Sequence, residues 1–315
     1  MSTPKQYVCY RAPSELVLDG GLDKPFWADA PWSDDFVDIE GDAKPKPRFR
    51  TRAKMLWDDK HLYIGAELEE PHVWGTLTQH DSVIFNDNDF EVFLDPDGDG
   101  ALYSELEMNA LNTTWDLLLV RAYMGGGPAI DGWELHGLRT AVQVEGSLND
   151  PSDKDKGWSV EIAIPFLALK DIAGCPCPPR DGDLWRINFS RVEWHHEVAD
   201  GRYQRVAGTR EDNWVWSPQG VVDMHRPEKW GVLQFSHHDQ GPIPAHPLQG
   251  QREREMLVRV FDAQRTYREA HGRWATSSVE LGIAEAGIHL ECTTHLFEAS
   301  YGGYKIDASR RFYRS

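Results

Sequence analysis

The feature that most constrains this chain is a succession of short segments in which apolar and polar residues alternate with a period of two. In an extended strand successive side chains point to opposite faces, so such a segment makes a half-buried β-strand and cannot line one face of a helix. Arg52–Trp57 runs into Asp58-Asp59-Lys60, and His61–Leu68 follows with Leu62, Ile64, Ala66 and Leu68 on one face. Phe90, Val92 and Leu94 form a second inward row. In Leu102–Ala110, Leu102, Leu106 and Met108 oppose Tyr103, Glu105, Glu107 and Asn109. Trp158, Val160, Ile162 and Ile164 share a face until Pro165 removes a ladder donor. Leu184–Trp194 and Trp230–Phe235 complete the set. Strands this short, divided by Asp/Gly/Pro turns, predict a mainly β protein built as an antiparallel, jelly-roll-like sandwich. Lys24–Ala28, with Pro25 in its first turn, predicts a short helix.

The pattern changes near the end. Gln251–His271 has neither Pro nor Gly, and Met256, Val260, Ala263, Tyr267 and Ala270 recur at helical spacing before Gly272. A second short helix from Ser277 or Ser278 to Gly282, and a hairpin of His289–Phe297 with Tyr304–Phe312 across Gly302-Gly303, are expected after it. Charge shifts at the same place. Residues 250–315 hold ten basic and nine acidic residues, whereas the rest of the chain carries nearly all of the net charge of −18. The expected organisation is therefore a sandwich over 7–240 and a small α+β extension over 250–315, packed on the sandwich or on a partner chain. Self-association through the extension is one expectation.

The strong negative charge argues against nucleic acid and anionic membranes as partners. No run of eighteen apolar residues is present, and Met1–Pro13 lacks the basic-then-apolar pattern of a secretion signal. The expectation is a cytoplasmic protein or one whose leader has been removed. Cys9, Cys175, Cys177 and Cys292 read as scattered thiols, with Cys175-Pro176-Cys177 too tight for an easy disulfide.

Several residues could carry chemistry. Asp95-Pro96-Asp97-Gly98-Asp99-Gly100 sets three carboxylates at alternate positions of a tight turn, which suits a hard cation such as calcium or simply a solvated acidic turn. Glu105 and Glu107 stand two apart on one strand face, roughly 6–7 Å between Cα atoms. They could grip sugar hydroxyls with Tyr103 and Asn109, or act as a glycosidase acid pair. Twelve of the thirteen tryptophans precede residue 240. Trp57, Trp158 and Trp185 fall on core-facing positions, while Trp214 and Trp216, amid Asn213, Ser217, Pro218 and Gly220, are candidate stacking platforms. Arg191 could donate a fork of hydrogen bonds to a ligand, or pair with Glu193 or Glu107.

Five strings, in order, resemble family 9 carbohydrate-binding modules, which are grouped with the DOMON-like sandwiches. They are Leu18–Trp27, Leu56–Tyr63, Asn88–Asp95, Gly157–Pro165 and Pro227–Gly231, and the similarity spans roughly residues 7–236. The resemblance implies a non-catalytic module in polysaccharide breakdown that binds plant-type glucan, xylan or derived oligosaccharides. It also implies supporting calcium ions and a periplasmic or secreted location. Glu91 matches the family's ligand-gripping glutamate. The family's two clamping tryptophans do not carry over, because Phe85 stands nearest the first position and Met224 and His225 at the second. Two other readings stay open: a glycan-active enzyme using Glu105 and Glu107, and a haem-binding DOMON-like carrier using His195-His196 or Met224-His225.

Overall fold

The computed structural model describes residues 4–315; Met1–Thr3, the start of the stretch read for a targeting signal, lie outside the described residues. Strands β1 (Gln6–Arg11), β2 (Val37–Asp38), β3 (Thr51–Trp57), β4 (His61–Glu69), β5 (Asp89–Asp95), β6 (Ala101–Asn109), β7 (Thr114–Arg121), β8 (Ala129–Ile130), β9 (Arg139–Glu145) and β10 (Gly157–Pro165) come first. A one-turn helix α1 (Phe166–Leu169) separates them from β11 (Leu184–Glu193), β12 (His196–Ala199), β13 (Arg202–Arg205), β14 (Asp212–Val215) and β15 (Gly231–Phe235). The expected short helix is a single 3₁₀ turn at Pro25–Trp27.

The strands form a sandwich, as the alternation implies. One sheet runs β8-β7-β6-β5-β11-β15, with β14 appended to β11 and β2 to β14, and the other runs β3-β4-β10-β9. Strand β1 joins them: Gln6–Cys9 pairs with β15, and Tyr10–Arg11 pairs with β3. Both of these pairings are parallel, and the other pairings are antiparallel. The inward rows from both sheets meet in one core. Phe90, Val92, Leu94, Leu106 and Met108 pack with Met55, Trp57, Ile64, Trp158, Val160 and Ile162. Leu102 is the exception, because it sits exposed with φ of 50° at the start of β6.

The opening string has a local cause. The buried carboxylate of Glu161 on β10 accepts hydrogen bonds from Asp19 N, Gly20 N, Trp27 Nε1 and Lys24 Nζ, all within 2.9 Å. One buried acid thereby folds the Asp-Gly turn and the Lys-Pro-Phe-Trp segment onto the sheet.

The extension has its own core. Helix α2 (Gln251–His271) lays Met256, Leu257, Val260 and Phe261 against a four-stranded sheet of β16 (His289–Cys292), β17 (Phe297–Tyr301), β18 (Tyr304–Asp307) and β19 (Phe312–Arg314). The expected hairpin turns at Gly302-Gly303, with Tyr301 opposite Tyr304. His289–Phe297 is not one strand, however: a turn stabilised by Thr293 Oγ1 separates β16 from β17. Residues 277–282 form turns and not a helix. The extension docks on the sandwich of its own chain. Arg310 pairs with Glu228 at 2.7 Å with both residues buried, and Arg311 reaches Asp99 at 2.6 Å. Phe312 N donates to Asp99 O, and Arg254 donates to Gly98 O.

Candidate functional site

The face of the first sheet turned away from the core carries the chemistry. Because side chains alternate, β5 sends Asp89, Glu91 and Phe93 there, and β6 sends Tyr103, Glu105 and Glu107. Glu91 lies directly across from Glu107, and Glu107 across from Trp115 on β7. Part of this face is itself covered. Ile39, Phe93, Tyr103, Leu117, Leu119, Val215, Met224 and Trp230 form a second apolar cluster on it. The carboxylates sit beside that cluster, and their exposures are 0% for Asp89, 5% for Glu91, 6% for Glu105 and 2% for Glu107.

Aromatic rings stand at both ends of the row. Phe85 N donates to Glu107 Oε2 at 2.9 Å, which fixes the Phe85 ring 6.3 Å from that of Trp115. At the Tyr103 end the Tyr103 hydroxyl is 2.9 Å from His225 Nδ1, and His225 meets Tyr123 edge to face at 4.5 Å. Phe85 and Tyr123 are 40% and 55% exposed, so both pairs reach solvent above the buried acids.

Electrostatically the row is under-compensated. Burial pushes Glu91 up to about 7, with the charge of Glu211 adding to the rise and the Ser190 hydroxyl opposing it. Glu105 is raised by burial and then by Glu91. Glu107 is raised by burial and by the charges of Glu91, Asp89 and Glu105, against the Phe85 N–H. Asp89 is raised by burial and by Glu91, against the Val192 N–H. His225 supplies no positive charge, because burial lowers it to about 4. The buried ion pairs of the described residues lie elsewhere, at Arg191, Arg310 and Lys24, and none reaches these four acids.

The remaining sequence candidates divide sharply. Phe85, Glu91, Glu105, Glu107 and His225 converge on this face. Asn109 lies at its edge with its amide spent. Its Nδ2 donates to Leu77 O and Asp87 Oδ2, and its Oδ1 accepts from Leu111 N and Thr113 N, so it builds the β6–β7 turn instead of meeting a ligand. Arg191 points the other way. It sits between the sheets, 1% exposed, bonded to Glu193, Glu70 and Thr51 Oγ1. Trp214 and Trp216 are 3% and 1% exposed in the main core, because β14 pairs with β11 and turns Trp214 inward beside Arg191. Neither indole is an exposed platform. His195 and His196 belong to other neighbourhoods, near Asp212 and against His72 and Tyr203. Sequence reasoning missed three residues of the face. Asp89 and Trp115 were recoverable from the alternation, two residues before Glu91 and Leu117. Tyr123 lies in an irregular 3₁₀ turn that has no such signal.

In the Asp95–Gly100 loop the three expected carboxylates, Asp95, Asp97 and Asp99, come within 4.8 Å of one another. Asp95 accepts from Gly98 N and Gly100 N, Asp97 from Asp99 N, and Asp99 from Ala101 N. The second Asp99 oxygen already takes Arg311 Nε of the extension. Positive φ at Gly98 and Gly100 closes the turn around these bonds. The turn's own amides and one arginine share these carboxylates, and burial with the charges of Asp97 and Asp99 still raises Asp95.

The architecture is a curled β-sandwich with a polar face walled by aromatic rings, and similarity to known proteins narrows its class. The profile of the carbohydrate family 9 binding domain-like family matches residues 18–236. The chain belongs to that family. Among solved structures, a putative carbohydrate-binding protein from Bacteroides uniformis ATCC 8492 is similar in fold at 16% identity and TM-score 0.54, covering 74% of this chain and all of that one. A family 9 carbohydrate-binding module from Caldicellulosiruptor kristjanssonii in complex with cellotriose matches at 17% identity and TM-score 0.48, covering 77% of this chain. The same organism's module in complex with glucose matches at 17% identity and TM-score 0.49, covering 75%. All of the Caldicellulosiruptor chain is covered in both cases. No curated protein sequence matches the chain.

Proposed function

We propose that the outer face of the first sheet binds a carbohydrate without cleaving it, and that the ligand is a glucan, a xylan or an oligosaccharide released from them in polysaccharide breakdown. The observation that carries this reading is the pair of aromatic walls, Phe85 with Trp115 and Tyr123 with His225, flanking a floor of carboxylates. A pyranose offers apolar C–H faces to rings and hydroxyls to carboxylates, and those two chemistries stand side by side here. Phe85 and His225 take over at the positions of the family's tryptophan clamp, and Glu91 grips hydroxyls from below. The structures with cellotriose and glucose bear on the choice of ligand through family membership. Localisation in the periplasm or outside the cell follows from the same reading, since long glycans are met there.

Tryptophan fluorescence titrated with mono- and oligosaccharides tests it, because Trp115 stands in one wall. A saturable change is expected, and Phe85→Ala or Tyr123→Ala should each weaken it by about tenfold, the loss of one ring's contact. A folded protein with no change for any sugar would contradict the proposal.

A further inference from the structure

We propose that Asp89, Glu91 and Glu107 form a divalent-cation site of the calcium class in the floor of this face, distinct from the Asp95–Gly100 loop. The three residues each offer a carboxylate oxygen, all within 4.8 Å of one another. Calcium bound at about 2.3–2.6 Å needs oxygens separated by no more than about twice that distance. Each acid has a spare oxygen. Val192 N donates to Asp89 Oδ1, and Asp89 Oδ2 is buried with no hydrogen-bond partner. Phe85 N donates to Glu107 Oε2 and leaves the other Glu107 oxygen without a protein donor. Buried carboxylates are paired, well supplied with donors or bound to metal. Elsewhere this chain follows that rule: Glu161 has four donors and Glu228 has Arg310. The outer-face group has neither solution, and Glu105 adds a fourth acid beside it. Remaining coordination positions would fall to water or to ligand hydroxyls, so the ion lies where it can tie a sugar to the floor. The ion site holds whether or not a sugar fills the space between the aromatic walls.

Terbium luminescence sensitised by tryptophan, with displacement by calcium, tests it on the full chain after chelation. One site is expected, with displacement by calcium complete below about 1 mM. Glu91→Gln and Glu107→Gln should each weaken calcium by at least about tenfold, because each removes one charged ligand. Asp97→Asn should leave affinity unchanged. Calcium should raise the melting temperature of the native sequence by on the order of 5 °C and do nothing for Glu91→Gln. In the chelated state Glu91→Gln should melt higher than the native sequence, an effect that mere loss of a structural contact does not give. Undetectable binding, or binding lost in Asp97→Asn and kept in both Gln variants, would overturn the assignment. So would glucosamine binding the chelated protein far more tightly than glucose and competing with calcium, since the cluster would then take a sugar ammonium. Calcium binding without sugar binding removes the sugar reading alone, whereas sugar binding untouched by chelation, with no calcium site, removes this one alone.

Discussion

Glu161 and Glu91 are both buried glutamates on strands of one sandwich, yet their surroundings differ in kind. Glu161 receives two backbone amides, an indole N–H and an ammonium, and the opening segment is folded around it. Glu91 faces Glu107 across the ladder and is pushed up to about 7 by burial. The sign of the consequence is fixed. A carboxyl whose folded value lies above its unfolded one binds more protons folded than unfolded, so its stabilising effect is full below about 4.5 and is lost as pH rises through about 7. For Glu91 alone the upper bound is about 3 kcal/mol. Urea midpoints of the chelated protein should therefore fall between about pH 5 and pH 8, and Glu91→Gln should flatten that slope. A midpoint that rises over this range would show that the row is ionised and compensated when folded.

At the scale of elements, alternation made most of the sandwich readable. Phe90, Val92 and Leu94, and Trp158 through Ile164, face the core as their spacing required, and the same parity put Glu91, Glu105 and Glu107 outside. Parity also assigned Arg191 to the face of Phe189, but the chain alone does not say that the core opens there. Its partner Glu70 lies 121 positions away, at the end of β4. Trp214 and Trp216 misled because their polar neighbours read as a loop, whereas β14 is a strand on β11. The Pro227–Gly231 string has a packing cause that no local rule supplies. A Cβ on Gly231 would lie 2.1 Å from the Trp216 ring, so glycine lets that indole lie on β15. Gly231→Ala should cost about 2 kcal/mol or more in denaturant unfolding by forcing the ring off its seat. A change under about 0.5 kcal/mol would mean the ring has room to move.

Across the whole molecule, the charge asymmetry has a structural outcome. The nearly neutral extension brings Arg254, Arg310 and Arg311 to an acidic sandwich and meets Gly98, Glu228 and Asp99 there. The expected calcium loop is thereby tied to the extension through Arg311, and the extension also reaches the Tyr123–Gly125 turn, where a Cβ on Gly125 would meet Ser309 O at 2.3 Å. Arg310→Met should cost about 3–5 kcal/mol, because Glu228 would keep only Arg226 at 4.0 Å. Replacing Glu228 with Met as well should recover most of that loss, and unfolding curves of the single and double variants would decide it.

The most direct measurement is calorimetric titration of the full chain, in calcium, with glucose, cello-oligosaccharides and xylo-oligosaccharides. The expected result is one saturable site with a Kd between about 1 μM and 1 mM, removed by combining Phe85→Ala with Tyr123→Ala. The contradicting result is a folded protein that gives no heat with any of these sugars, or one whose affinity survives the loss of both rings.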